Sequence, residues 1–302
     1  MKKQLIATLL ISVCCAAVAA EQRDRTRSAR LPYRAEQQKK ALNSWQPIMV
    51  YHGGPILAGP TNLYIVYYGN FTATQHSILD TFLEHVGGSN AFNVATEYYD
   101  SQGQHIQNAF NYDPATNSYD DAYSIGKTLS GNYFETALLH NAVAEGHLPS
   151  DVNGIYILTI SPDVKLPDNV WCAYHAYTPV IIDGAEVAYA VAPDPPAAGG
   201  ILGGCSGTIA IWHDTVSPNF DVGMDSVVDS LIHELGETVT DPDINAWFTF
   251  TGQEIGDVCN FNYGSLFRAP NGARANAKFG NRDYLVQQLW STEDPVGCVQ
   301  RH

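Results

Sequence analysis

Apolar and polar positions along this 302-residue chain fall into blocks whose period switches between two and about 3.6 residues. Asn62 to Tyr68 (NLYIVYY) is aromatic and β-branched and predicts a strand, broken at Gly69–Asn70. Ala73 to Val86 then sets Ile78, Leu79, Phe82, Leu83 and Val86 on one helical face, with Thr72 as N-cap and Gly87–Gly88 as stop. Ala91 to Tyr99 fits a short helix and Tyr133 to Glu145 another, while residues 100–128 between them are polar and turn-rich. Gly154 to Ile160 (GIYILTI) reads as a buried strand. Val180–Ile182 and Val187–Val191 flank Asp183–Gly184 and predict a hairpin. Pro193 to Gly204 is a Pro/Gly/Ala loop, and Thr208 to Trp212 reads as a third core strand.

A long helix follows, with its strongest signal over 225–240. Val227, Val228, Leu231, Ile232 and Leu235 share one side, and His233 and Glu237 share the opposite one. Pro242 disfavours helical backbone at Asp241, so the helix is expected to end there. Strands and helices alternate early, and a long helix comes after a late strand. That order predicts an α/β or α+β fold, a mixed sheet packed on at least three helices. A zincin-like, metallopeptidase-like layout, with the sheet above and the active helix below, is compatible with it.

Composition narrows the setting. Lys2 and Lys3, the apolar run Leu5 to Val18 and the small residues up to Ala20 read as a signal peptide over 1–20. That run is too short for a membrane span and no later run is longer, so stable membrane insertion is not expected. Residues 21–45 form a basic leader or propeptide. Residues 21–40 hold seven basic and three acidic side chains, whereas 41–302 hold seven basic and twenty-eight acidic, a net charge near −21. So acidic a body argues against nucleic acid as a partner. Residues 46–302 read as a single domain. Four of the six cysteines lie outside the signal segment, which in an exported chain predicts two disulfides. Three pairings are open, with Cys172–Cys205 and Cys259–Cys298 preferred; each would stabilise by about 3–4 kcal/mol on the chain-entropy argument.

The long helix carries the candidate chemistry, His233–Glu234–x–x–Glu237. His233 and Glu237 lie one turn apart on one side, so an imidazole and a carboxylate face the same divalent ion. This is the logic of the HExxH zinc helix with glutamate in place of the second histidine. Glu234 stands where that motif keeps its general base. A catalytic zinc takes a third protein ligand, for which Asp241, Asp243, Glu254 and Asp257 compete. Asp257, 20 residues beyond Glu237, is preferred and Glu254 is next. A bare HExxE is common on solvated helix faces; the carboxylates gathered downstream (TDPD, EIGDVC) shift the balance to a metal. Histidine in the set favours zinc, while the hard oxygens leave calcium as the rival. His175, in CAYHAY, is the second catalytic candidate, a transition-state donor or a metal ligand, weighed against a structural histidine. His213 is a lesser candidate for the same cleft. No GxSxG occurs to support serine catalysis.

Several stretches carry a resemblance to a known family: YHGGPILAGPTNLYIVYYGNFTATQHSIL at 51–79, HELGETVTDPDINAWF at 233–248, EIGDVCNFNYG at 254–264 and GNRDYLVQQLW at 280–290. In order and spacing they resemble the phosphate-induced protein 1 (EXORDIUM-like) family, from about Tyr51 to Cys298. His52 and His175 match histidines of its pattern. The resemblance implies a secreted protein, extracellular or periplasmic after signal cleavage, and supplies no biochemical activity. Several plant members look to have lost the His-Glu pair that this chain keeps. The residues themselves point to a secreted zinc-dependent hydrolase acting on a peptide or protein, with Glu234 activating water at the metal. The rival is a non-enzymatic secreted or cell-surface protein with a structural metal. A weaker third is a carbohydrate-active enzyme using two carboxylates such as Glu234 and Glu254. Oligomeric state is left open.

Overall fold

The computed structural model describes residues 30–32, 47–129, 134–166, 171–182, 185–195 and 205–300. The expected signal segment 1–20, the leader 21–45 apart from 30–32, and the turn at 183–184 lie outside them. In chain order the elements are β1 (Arg30–Pro32), β2 (Met49–Tyr51), β3 (Thr61–Tyr68), α1 (Ala73–His85), β4 (Phe110–Asn111), α2 (Pro114–Asn117), β5 (Ser118–Asp121), α3 (Phe134–Ala144), β6 (Ile155–Ile160), β7 (Trp171–Ile182), β8 (Ala185–Val191), α4 (Gly207–Trp212), α5 (Val222–Thr240) and β9 (Trp247–Thr249). Short two-stranded hairpins complete the C-terminal part.

A mixed seven-stranded sheet runs in the order β1-β7-β8-β6-β3-β4, with β5 also on β3. The centre is parallel (β3 with β6, β6 with β8), whereas β7 returns antiparallel along β8 and β1 antiparallel along β7. Both faces are covered, which is why β3 is an unbroken apolar run. Leu63, Ile65 and Tyr67 face one core with α1 and α5, and Tyr64, Val66 and Tyr68 face the other with α3. The fold is therefore α+β, one of the two classes expected, with the mixed sheet packed on at least three helices, α1, α3 and α5.

Local signals translate directly at α1. Thr72 caps it in a capping box with Gln75, and Ile78, Leu79, Phe82 and Leu83 are buried. Two readings change. Thr208–Trp212 lies within a helix, α4, not a core strand: Ser206 takes the N-cap position and His213 ends it in the left-handed region at φ 56°. Ile211 and Trp212 pack on Phe261, Tyr263 and Leu285 rather than entering the sheet. An apolar run this short has no decisive period. Within the polar stretch 100–128, β5 pairs with β3 over Ser118–Asp121. Its polar residues gave no strand signal because it sits beside the edge, where water and local contacts satisfy them; Asp121 accepts from the Ser124 backbone and hydroxyl. The disulfides are Cys172–Cys205 and Cys259–Cys298, the preferred pairing.

Candidate metal centre

Three pieces of backbone converge on one buried spot. The central turns of α5 contribute His233, Glu234 and Glu237. This helix is buried on every side, so its polar stripe faces protein instead of solvent. On β7 the flanking residues Tyr174 and Ala176 belong to the α3-side core, so alternation turns His175 towards α5. The chain leaving β9 brings in Glu254, then Asp257 at the start of a single 3₁₀ turn, Asp257–Cys259. The backbone N–H of Asp257 donates to Glu237 Oε1 at 2.9 Å, which ties that turn to the helix. Cys259, two residues on, is anchored by its disulfide to Cys298.

His233 Nε2 lies 3.0 Å from Glu237 Oε1 and 3.8 Å from Asp257 Oδ1. His175 Nδ1 lies 3.4 Å from both Glu234 Oε2 and Glu237 Oε2, and its Nε2 lies 3.5 Å from Glu254 Oε1. Two ligand groups result, His233–Glu237–Asp257 and His175–Glu237–Glu254, each with its ligand atoms within 4.8 Å of one another. Glu237 is common to both. Asp257 and Glu254 therefore fall in different groups instead of competing for one place. Asp241 closes the end of α5, its Oδ1 accepting from the backbone N–H groups of Asn245 and Ala246. Its carbonyl oxygen lies 3.3 Å from His175 Nε2. Asp243 is half-buried in the turn beyond and belongs to neither group. His52 is exposed and stacked on Phe248, and His213 is exposed at the end of α4, so neither joins the cluster.

The donor set fits a cation. Both ring nitrogens of His233, His175 Nδ1, both oxygens of Glu234 and of Glu254, and Glu237 Oε2 are buried without a hydrogen-bond partner among the described residues. Buried polar atoms are rarely left so, because each costs about 1–3 kcal/mol. Nε2 of His233 and Oε1 of Glu237 are 3.0 Å apart yet not in hydrogen-bond geometry. Ligands of a tetrahedral ion at about 2.0–2.2 Å stand about 3.3 Å from each other, and the observed spacings bracket that value.

Ionisation points the same way. Burial lifts Glu234 to about 7 despite the two imidazoles, and lifts Glu254 and Asp257 well above the carboxylate range. Burial opposes ionising Glu237 as well, but His233 and His175 outweigh it and hold it at about 2. Burial opposes protonating His233, yet Glu237 and its neighbours raise it to about 10; His175 is raised likewise, chiefly by Glu254 and Glu234 against the effect of burial. Without a cation the cluster thus retains protons at neutral pH on groups that must lose them to bind one. Metal binding is expected to release at least about one proton per ion, so affinity falls about tenfold or more per unit as pH drops from 8 towards 5. Calorimetry in two buffers of unequal ionisation heat reads the release directly; pH-independent affinity would contradict it.

A supporting layer escaped the sequence reading. Asp229, one turn before His233, accepts from the Tyr263 hydroxyl at 2.5 Å and the Gln287 backbone at 2.7 Å, and Gln287 Nε2 donates to the Gly256 carbonyl at 2.9 Å. The i−4 spacing of Asp229 from His233 was its one local signal. Gly256 lies against the imidazole: a Cβ there would stand 2.6 Å from His233 Cγ. Gly256→Ala is expected to push His233 aside and weaken metal binding about 10–100-fold, the scale of outer-layer lesions. Calorimetric titration checks this, and unchanged affinity would show that the ring has room to move.

Residues 49–298 match the phosphate-induced protein 1 conserved region. Protein EXORDIUM-like 3 of Arabidopsis thaliana is 28% identical over 274 residues, covering 80% of this chain and 80% of that protein. Protein EXORDIUM-like 5 of the same plant is 28% identical over 278 residues, covering 80% and 74%. No solved structure matches.

Proposed function

The chain belongs to the phosphate-induced protein 1 family, and from that premise we propose that this member is an exported metal-dependent hydrolase acting on peptide bonds. The observation that carries the reading is Glu234. It lies beside both ligand groups and in neither, both its oxygens are unpartnered, and burial brings it to about 7. A general base works best near the ambient pH, whereas a purely structural site has no need of a free carboxylate. His233, Glu237 and Asp257 would hold the ion, with Glu254 and His175 beside them; the imidazoles favour zinc over calcium. A bound divalent cation supplies Lewis acidity and makes water easier to deprotonate. Glu234 takes the proton from the attacking water and delivers it to the leaving amine. His175, 3.4 Å from Glu234, favours the ionised form of that carboxylate. The two disulfides, with the signal-like N-terminus, support export. Among the described residues no helix is long and apolar enough to cross a membrane.

One observation favours the second reading, a structural metal in a non-enzymatic exported protein. His175, His233, Glu234 and Glu237 are fully buried and Asp257 is only 8% exposed, which suits a sealed site. Elemental analysis of the purified protein beside Glu237→Gln, which removes the ligand common to both groups, is the test. About one zinc or other transition ion per chain, lost in the variant, is the result expected. Calcium, or no metal, would overturn the hydrolase reading. Metal whose removal lowers the melting temperature, with no hydrolysis at any stage, would favour the structural one.

A further inference from the structure

We propose that the outer edge of β7 is a docking site for an extended peptide, and that leader residues Arg30–Pro32 occupy it in the full chain. The proposal deepens the peptide-hydrolase reading, since it names the binding mode of the substrate, but docking itself needs no catalysis.

Among the described residues β7 pairs with β8 on one side and, on the other, only with β1. Arg30 lies opposite Tyr174 and Pro32 opposite Trp171, antiparallel, with an irregularity between them. β1 covers the Trp171–Tyr174 end of a twelve-residue strand, WCAYHAYTPVII, which without it would be the margin of the sheet over its whole length. It contains no Asp, Glu, Lys or Arg. Long uncharged edges recruit other strands, and proteins keep them covered unless pairing is their purpose. The cover here comes from outside residues 49–298, the span shared with the family. It also comes from the chain's basic segment: residues 21–40 hold seven basic side chains against a body near −21. That charge favours the leader staying on the body, and it is screened by salt.

Position gives the edge a use. Tyr174, the residue opposite Arg30, immediately precedes His175, whose ring reaches Glu234, Glu237 and Glu254. A strand laid along β7 runs about 4.8 Å outside it, beside the strand that carries His175 into the cluster. Main-chain pairing of this kind holds a peptide of varied sequence in one register. Leader and substrate would then use the same ladder along Trp171–Tyr174.

The test uses the full chain in chelator, so hydrolysis plays no part. Successive N–H groups of a strand point to opposite sides, so prolines at both 30 and 31 must remove an inward donor. In the double variant Arg30→Pro, Leu31→Pro, hydrogen exchange at Trp171–Tyr174 should quicken about tenfold or more, while β3 and β6 stay protected. Adding a synthetic peptide of residues 25–37 should restore protection, and its fluorescent form should bind the variant about tenfold or more tighter than wild type. Should the double variant fail to fold, as lost protection in β3 and β6 would show, Leu31→Pro alone is used. Unchanged exchange at 171–174, or a peptide that neither protects nor discriminates, would overturn the proposal. Either failure leaves the hydrolase reading standing, and an inactive but peptide-docking protein would reject that reading alone.

Discussion

Glutamine in place of Glu237 is expected to abolish metal binding at both ligand groups together, weakening affinity about 100-fold or more, beyond what outer-layer changes cost. Glu237 is the ligand the groups share: Oε1 faces His233 and Oε2 faces His175. An amide keeps the shape but is neutral and offers one acceptor where there were two. Asp257→Asn and Glu254→Gln each touch one group and should each leave the other able to bind. A ligand at 100 times its Kd stabilises a fold by about 2.7 kcal/mol; wild type should show the corresponding rise in melting temperature, and Glu237→Gln none. The variant should also be less stable without metal. Glu237 is the carboxylate held ionised at about 2 against two raised imidazoles, and breaking a buried pair costs about 3–5 kcal/mol. An undiminished metal response in Glu237→Gln would remove the two-group description of the site.

Glu234→Gln should separate holding the metal from using it. Glu234 is in neither ligand group, so metal content and melting temperature should match wild type. Hydrolysis should fall about 10²–10⁴-fold, the usual contribution of a positioned base. The mechanism needs Glu234 ionised, so wild-type activity should decline as pH falls. Its value of about 7 without a cation is an upper bound for that limb, because a bound positive charge favours the carboxylate. Hydrolysis undiminished in Glu234→Gln would sink the mechanism. Loss of metal in that variant would make Glu234 a ligand instead.

Much of this arrangement was legible before any fold was known. β3, β6 and α1 announced themselves because buried elements must present a regular period of apolar side chains, and α1 has its Thr72–Gln75 cap written beside it. The HExxE spacing put His233 and Glu237 on one side of α5 because helix geometry alone does that. Cysteine count and order made two disulfides the natural expectation. α4 and β5 were misread or missed for one reason: a run of four to six residues has too little period to report its partner, and the partner decided.

The candidate site divides along the same line. Contacts within a few residues of each other follow from backbone geometry, and His233, Glu234 and Glu237 needed nothing more. Glu254 and Asp257 were recognisable as carboxylates near the helix, but their sorting into separate groups comes from a loop tied back through Asp257 N–H and Cys259–Cys298. His175 enters 58 residues before His233 only because sheet alternation turns it towards α5. Whether the polar stripe of α5 met water or protein was likewise undecidable from α5 itself. Burial is a property of everything folded around a segment, and here it turns an ordinary run of His and Glu into a charged cluster that calls for a cation.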